Sequence, residues 1–190
     1  MRCAGRFWHG NSFHTLMVTG VRFALLLSAL FLGLVPRGLA NPFPNNGPVV
    51  PGRVARLRRG IAYAPAKAPL PVKRAIWAAN ELRSKPYRWG GGHASFFDVG
   101  YDCSGTVSYA LAAGGLLRAP LCSNELTRFG HRGQGKWITV YARNGHAFAI
   151  IAGLRLDTTA WNRWSDRDAP RWQLTLRPPR GFEPRHPDGL

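Results

Sequence analysis

Three residue types able to share one nucleophilic reaction occur in order along this chain: a cysteine, a histidine and a carboxylate. Cys103 opens "CSGTVSYALAA", where Val107, Ala110 and Leu111 share one helical face and Gly114 and Gly115 supply the stop. A helix N-terminus carries unpaired N–H groups and a partial positive charge. Both favour thiolate over thiol, and the same N–H groups can hold the oxyanion formed when sulfur attacks a carbonyl. Ser104 and Gly105 are small and keep access to the sulfur open. A small apolar residue that merely begins a buried helix fits the local sequence equally well, so both readings of Cys103 stand at this point.

A thiol nucleophile needs a base. His146 begins "HAFAIIAG", where a loop enters a strand, a position that holds an imidazole on a rigid edge. Taken alone, a histidine there is more often structural. The third member of such a set orients the imidazole by accepting from its second nitrogen. Asp157, in "LRLDTT" on the returning strand, is the first candidate, with Thr158 and Thr159 as weaker ones. An acidic residue closing a hairpin is also a common turn or salt-bridge residue.

The elements that must position these residues read as helix, helix, then strands. Pro71 is suited to a first helical turn, and Val72, Ala75, Ile76, Ala79 and Leu82 recur at helical spacing until Lys85-Pro86. A Gly-containing loop, Tyr87 to Asp102, leads to the cysteine helix. Strand composition follows in Lys136 to Tyr141, His146 to Gly153, "LRLDTT" and "RWQLTL". This order predicts an α+β domain over residues 71–182, with the helices packed on an antiparallel sheet. Residues 41–70, rich in Pro, Gly and Arg, read as a flexible basic lead-in, and residues 183–190 as a turn-like tail.

The segments "KPYRWGGG", "YDCSGTVSYAL" and "GHAFAIIAG" followed by "LRLDTT" resemble the NlpC-type family of bacterial cell-wall cysteine peptidases. The resemblance covers roughly Pro71 to Thr159. It implies a papain-like fold in which an Asp-Cys-Ser-Gly box, here Asp102 to Gly105, opens the core helix. It implies Cys103 as nucleophile and His146 as base, with Tyr87, Asp102 and Ser104 lining the substrate site. The implied reaction is hydrolysis of an amide bond in peptidoglycan stem peptides, with no cofactor. At the third position the family commonly has His, Asn or Gln. Here that place falls within "LDTT", where Asp157 would fill the physical role.

Composition bounds the setting. Against 26 Lys and Arg stand 9 Asp and Glu, a formal charge of +17. The basic residues are spread along the chain, with no nucleic-acid motif, so the expectation is a surface suited to anionic wall polymer rather than specific nucleic-acid binding. "FALLLSALFLGLV", Phe23 to Val35, is 13 apolar residues, short of the roughly 20 that span a bilayer. It reads as the core of an export signal over residues 1–40, with Gly38 and Ala40 before a cut near Asn41 and Met17 as an alternative start. A retained anchor or interfacial helix is the alternative. The expected location is outside the cytoplasm, periplasmic or at the cell wall, with membrane contact only through the signal and a monomeric state.

Cys3 precedes the proposed cut, which leaves Cys103 and Cys122. A bridge between them would silence the thiol, and a partly buried free Cys122 is the simpler expectation. "WGGGHASFF" lacks the Gly-Lys-Ser/Thr of a phosphate loop, and His93, His131 and His186 are too scattered for zinc. His93 is expected to be an exposed loop residue, with approach to the cleft as the alternative. Trp89 is expected to pack the loop. Trp137, Trp161 and Trp164 suit ligand contact and scaffold packing alike. Two other functions remain open: a non-catalytic wall- or polyanion-binding domain on the same scaffold, and a Cys-His acyl or amide transferase.

Overall fold

The computed structural model describes residues 41–159, 170–174 and 179–190. The proposed export signal, Cys3, Trp161 and Trp164 lie outside the described residues. Among the described residues no helix is long and apolar enough to cross a membrane.

Two helices do most of the positioning. Helix α1, Leu70–Glu81, carries Pro71 in its first turn and buries Val72, Ala75, Ile76 and Ala79, the residues whose spacing predicts it. A 3₁₀ turn, Leu82–Ser84, finishes it before Pro86. Helix α2, Cys103–Ala113, starts and stops as the sequence indicates, and every residue in it except Ala112 is buried. A helix buried all round must lie between two layers. Accordingly α2 packs against α1 on one side and against strands of the main sheet on the other. Helix α3, Ser123–Leu126, is a single turn in the loop after α2.

Before α1, strands β1 (Val49–Val50), β2 (Arg56–Arg58) and β3 (Ile61–Pro65) form a small sheet in the order β1-β3-β2. Residues 41–70 are therefore not a featureless lead-in. Ala55, Ala62, Ala64 and Ala68 join the core. The Asn80 side chain of α1 accepts from Ala62 N at 2.8 Å and donates to Ala62 O at 2.9 Å, while Trp77 Nε1 donates to Pro48 O at 3.1 Å.

The main sheet contains β4 (His131–Arg132), β5 (Ile138–Arg143), β6 (His146–Ile151), β7 (Leu154–Asp157), β8 (Arg171–Leu174) and β9 (Glu183–His186). Its order is β4-β9-β5-β6-β7-β8, and each described pairing is antiparallel. Ile138, Val140 and Ala142 on β5, Ala147, Ala149 and Ile151 on β6, and Leu154 and Leu156 on β7 enter the core at alternate positions. The architecture is thus α+β, with N-terminal helices packed on an antiparallel sheet. The C-terminal segment is part of that sheet: β9 pairs with β5, and Leu190 O accepts from Trp137 N and Ile138 N. The β6–β7 connection is the two-residue turn Ala152-Gly153, with φ of 48° and 91°. Positive φ at both positions matches the twist of the flanking strands, and this tight return brings Asp157 back beside the start of β6.

Candidate active site

Asp102 is the N-cap of α2. Its Oδ1 accepts from Gly105 N at 2.7 Å, and its carbonyl accepts from Thr106 Oγ1 at 2.7 Å. The cap fixes Cys103 as the first helical residue, beside backbone N–H groups that have no partner within the helix. The Gly-rich loop lies directly against this turn. Asp102 N donates to Gly91 O at 3.2 Å, and a Cβ on Gly105 would overlap the Gly91 carbonyl oxygen. These glycines are needed because two backbones meet there. Tyr87, half-buried, bridges to Tyr101 in the same loop. Tyr101 is pinned by donating to Phe96 O at 2.8 Å.

Cys103 carries a free thiol, 7% exposed. It is therefore not bridged to Cys122, whose N–H donates to Glu125 Oε2 at 2.8 Å at the start of α3. His146, the first residue of β6, has a side chain 20% exposed, and its Nε2 lies 3.0 Å from Asp157 Oδ1 and 3.1 Å from Thr159 Oγ1. Cys103 acts electrostatically on the same imidazole. Burial works against a charged imidazole here. The hydrogen bond to Asp157, with the charges of Asp157 and Cys103, outweighs it and raises the His146 pKa from 6.5 to about 9. Phe182 meets the ring edge-on with centroids 5.9 Å apart and limits its tilt.

Asp157 is itself held from several sides. Its Oδ1 also accepts from Thr158 N at 2.8 Å and Thr159 N at 3.1 Å, and its Oδ2 accepts from Arg155 Nε at 2.8 Å. Burial opposes the Asp157 charge, yet His146 and Arg155 keep its pKa below 3.8. Arg155 is buried and lies over the Phe148 ring, 3.4 Å from its centroid. The structure therefore brings His146 and Asp157 into hydrogen-bond contact, and Cys103 influences the same imidazole electrostatically. Thr159 joins Asp157 on the imidazole, while Thr158 contributes only its backbone N–H.

Asp102 and Ser104 flank the thiol but are buried, and their side chains bond to each other at 3.1 Å. Both also bond to His93, whose Nε2 lies 3.0 Å from Asp102 Oδ1 and 3.0 Å from Ser104 Oγ. His93 is not simply an exposed loop residue. Its sole sequence signal is its place after three glycines, two of which the structure requires for close backbone approach. Arg155 had a signal too, since it stands two residues before Asp157 and so shares its strand face. Trp89 differs in the other direction: it is 71% exposed and does not pack the loop. Trp137 is buried against the core. Among the described residues no cluster of His, Cys, Asp or Glu forms a metal site.

No protein-family model matches the chain, and no curated protein is significantly similar to it.

Proposed function

We propose that this chain is an exported cysteine hydrolase of papain-like type that cleaves an amide bond in peptidoglycan stem peptides. The observation that carries the chemical half of this reading is the His146–Asp157 hydrogen bond, with Cys103 acting electrostatically on the same imidazole from the capped start of α2. The substrate half rests on the resemblance of the Asp-Cys-Ser-Gly box, the Gly-rich loop before it and the Gly-His pair after it to wall peptidases.

In this mechanism the Cys103 proton resides on His146, leaving a thiolate beside an imidazolium. The sulfur attacks the scissile carbonyl carbon, and the carbonyl π electrons move to oxygen. Backbone N–H groups at the start of α2 hold that oxyanion. Collapse expels the amine, which takes the proton from His146, and leaves a thioester on Cys103. Neutral His146 then accepts a proton from water as the hydroxide oxygen attacks the thioester. The acid product departs, and the proton returns the pair to its starting state.

Incubation with purified peptidoglycan, followed by mass analysis of the soluble fragments, tests the reading. New amine and carboxylate ends are expected with the native protein and not with Cys103→Ala. Wall binding that persists without any cleavage, in native protein and variant alike, would favour a binding domain. Products carrying an added amine acceptor in place of water would favour a transferase.

A further inference from the structure

We propose that His93 is a substrate-binding residue that takes a carboxylate of the substrate beside the amide Cys103 attacks. The inference deepens the hydrolase reading and rests on it.

The residues on either side of the nucleophile flank the point of attack, but their polar atoms are already engaged. Asp102 is 6% exposed. Its Oδ1 accepts from Gly105 N, Ser104 Oγ and His93, and its Oδ2 from Gly90 N at 3.2 Å and from His93 at 3.0 Å. A carboxylate so enclosed cannot also receive a substrate ammonium group. The Ser104 hydroxyl donates to Asp102 and faces His93 Nε2 with its lone pair, so Nε2 is a donor to both.

That leaves the other ring nitrogen. The His93 side chain is 31% exposed, and Nδ1 has no hydrogen-bond partner among the described residues. With Nε2–H fixed on Asp102, protonation at Nδ1 turns the open edge of the ring into a cationic donor. The hydrogen bond to Asp102, with the charges of Asp102 and the exposed Glu125 on α3, raises the His93 pKa against the opposing effect of burial. Adjacent Cα atoms are about 3.8 Å apart, so a ring bonded to both neighbours of Cys103 stands within about 10 Å of the sulfur. His93 is separate from the His146–Asp157 pair, where His146 Nε2 is engaged by Asp157 and Thr159. The polar group this loop offers a substrate is therefore the open Nδ1 edge of His93, a positively charged donor when protonated, which matches an oxygen anion better than an ammonium.

Two alkylating reagents of similar size and opposite charge character test this on Cys103: iodoacetate and iodoacetamide. Their rate ratio is measured for the native protein, His93→Gln, His93→Lys and His146→Ala. The expected result is a fall of about three-fold in the iodoacetate-to-iodoacetamide ratio for His93→Gln, the weight of one unit charge at roughly 7 Å in aqueous screening. Recovery is expected in His93→Lys. An unchanged ratio in His93→Gln, including a fall in both rates alike, overturns the proposal. Should His93→Gln fail to fold, the native protein carries the test through protection of Cys103 from iodoacetamide. N-acetylglutamate is then expected to protect at lower concentration than N-acetylglutamine, and equal protection or none overturns the proposal. A native alkylation rate that His146→Ala leaves unaltered counts against the hydrolase reading instead, and a Cys103 that neither reagent modifies overturns both.

Discussion

His146 is where the chemistry of the site and its pH dependence meet. Its folded pKa of about 9 lies above the ordinary 6.5. A group raised on folding contributes stability that is fully present below the unfolded value and is lost as pH rises through the folded one. The contribution from this imidazole is thus complete below about pH 6.5 and gone once the pH has passed about 9. In the proposed mechanism the same proton is delivered to the leaving amine. Peptide-cleaving activity is therefore expected to fall along an alkaline limb near pH 9, measured as kcat/KM against pH. A limb centred near 6.5 would mean that Asp157 and Cys103 do not hold the proton. On the acid side, Asp102 and Asp157 are both depressed below 3.8, so their contributions are present above that value and are lost as pH falls through their folded pKa values.

Asp157 has two duties that separate experimentally. Asp157→Ala removes the orienting acceptor of His146 and also a carboxylate partner of Arg155, which is 4% exposed and lies over Phe148. Removing one partner of a buried ion pair is destabilising, so a drop in thermal midpoint is expected. In Asp157→Asn an oxygen remains for His146, but the charge is lost. Cleavage is expected to fall on the order of ten-fold or more, and its alkaline limb to move to lower pH. His146→Ala should lose roughly 10²–10⁴-fold, and Cys103→Ala all measurable cleavage. These four outcomes, read together as kinetics and melting curves, distinguish an orienting carboxylate from a salt bridge that happens to lie nearby.

At the level of elements, the cysteine helix works because the Gly-rich loop can lie against its first turn. Gly105→Ala sets a methyl group into the Gly91 carbonyl oxygen, and the contact is with backbone, which cannot rotate away. Overpacking of this kind costs about 1–3 kcal/mol. It should also shift the start of α2, so the alkylation rate of Cys103 is expected to fall along with the melting temperature. Leu111→Ala, at a fully buried position on the same helix, should cost about 2–5 kcal/mol while leaving the start of α2 in place. Loss of reactivity in both variants would detach it from the loop contact. Elements with a strong local signal were legible in the sequence: α2 by its apolar face and glycine stop, β6 and β7 by their apolar runs and tight turn. Their legibility made Cys103, His146 and Asp157 visible as a set. What escaped had weak local chemistry. Strands β2 and β3 are joined by Arg59-Gly60, whose φ values of 49° and 76° make a hairpin turn that an arginine does not advertise. Their core contribution is alanines, which show little hydrophobic contrast. Strand β9, "EPRH", has no apolar alternation and contains Pro184, which cannot donate to a ladder. Only pairing with β5 makes it a strand. His93 was legible only as a loop histidine with approach to the cleft as the alternative, since its partners are reached through loop geometry and not through periodicity.

For the whole molecule, 26 basic residues stand against 9 acidic ones, and among the described residues most Lys and Arg side chains are exposed. Charge of this kind draws a protein to a polyanion without selecting a bond, and salt screens it: the Debye length shrinks from about 10 Å at 0.1 M to about 3 Å at 1 M. The proposed catalytic residues are partly or wholly buried, so salt should reach them far less. Two measurements on one preparation separate these roles. Retention on insoluble cell wall is expected to fall at least ten-fold between 0.1 M and 1 M salt, in native protein and Cys103→Ala alike. Cleavage of a small soluble stem peptide should change by no more than about three-fold over the same range, since only His93 and the exposed rim of the cleft feel the screening. Retention that ignores salt would assign wall binding to a specific site rather than to the basic surface. A parallel ten-fold loss of small-peptide cleavage would place long-range charge inside the chemical step, where the proposed mechanism leaves it no role.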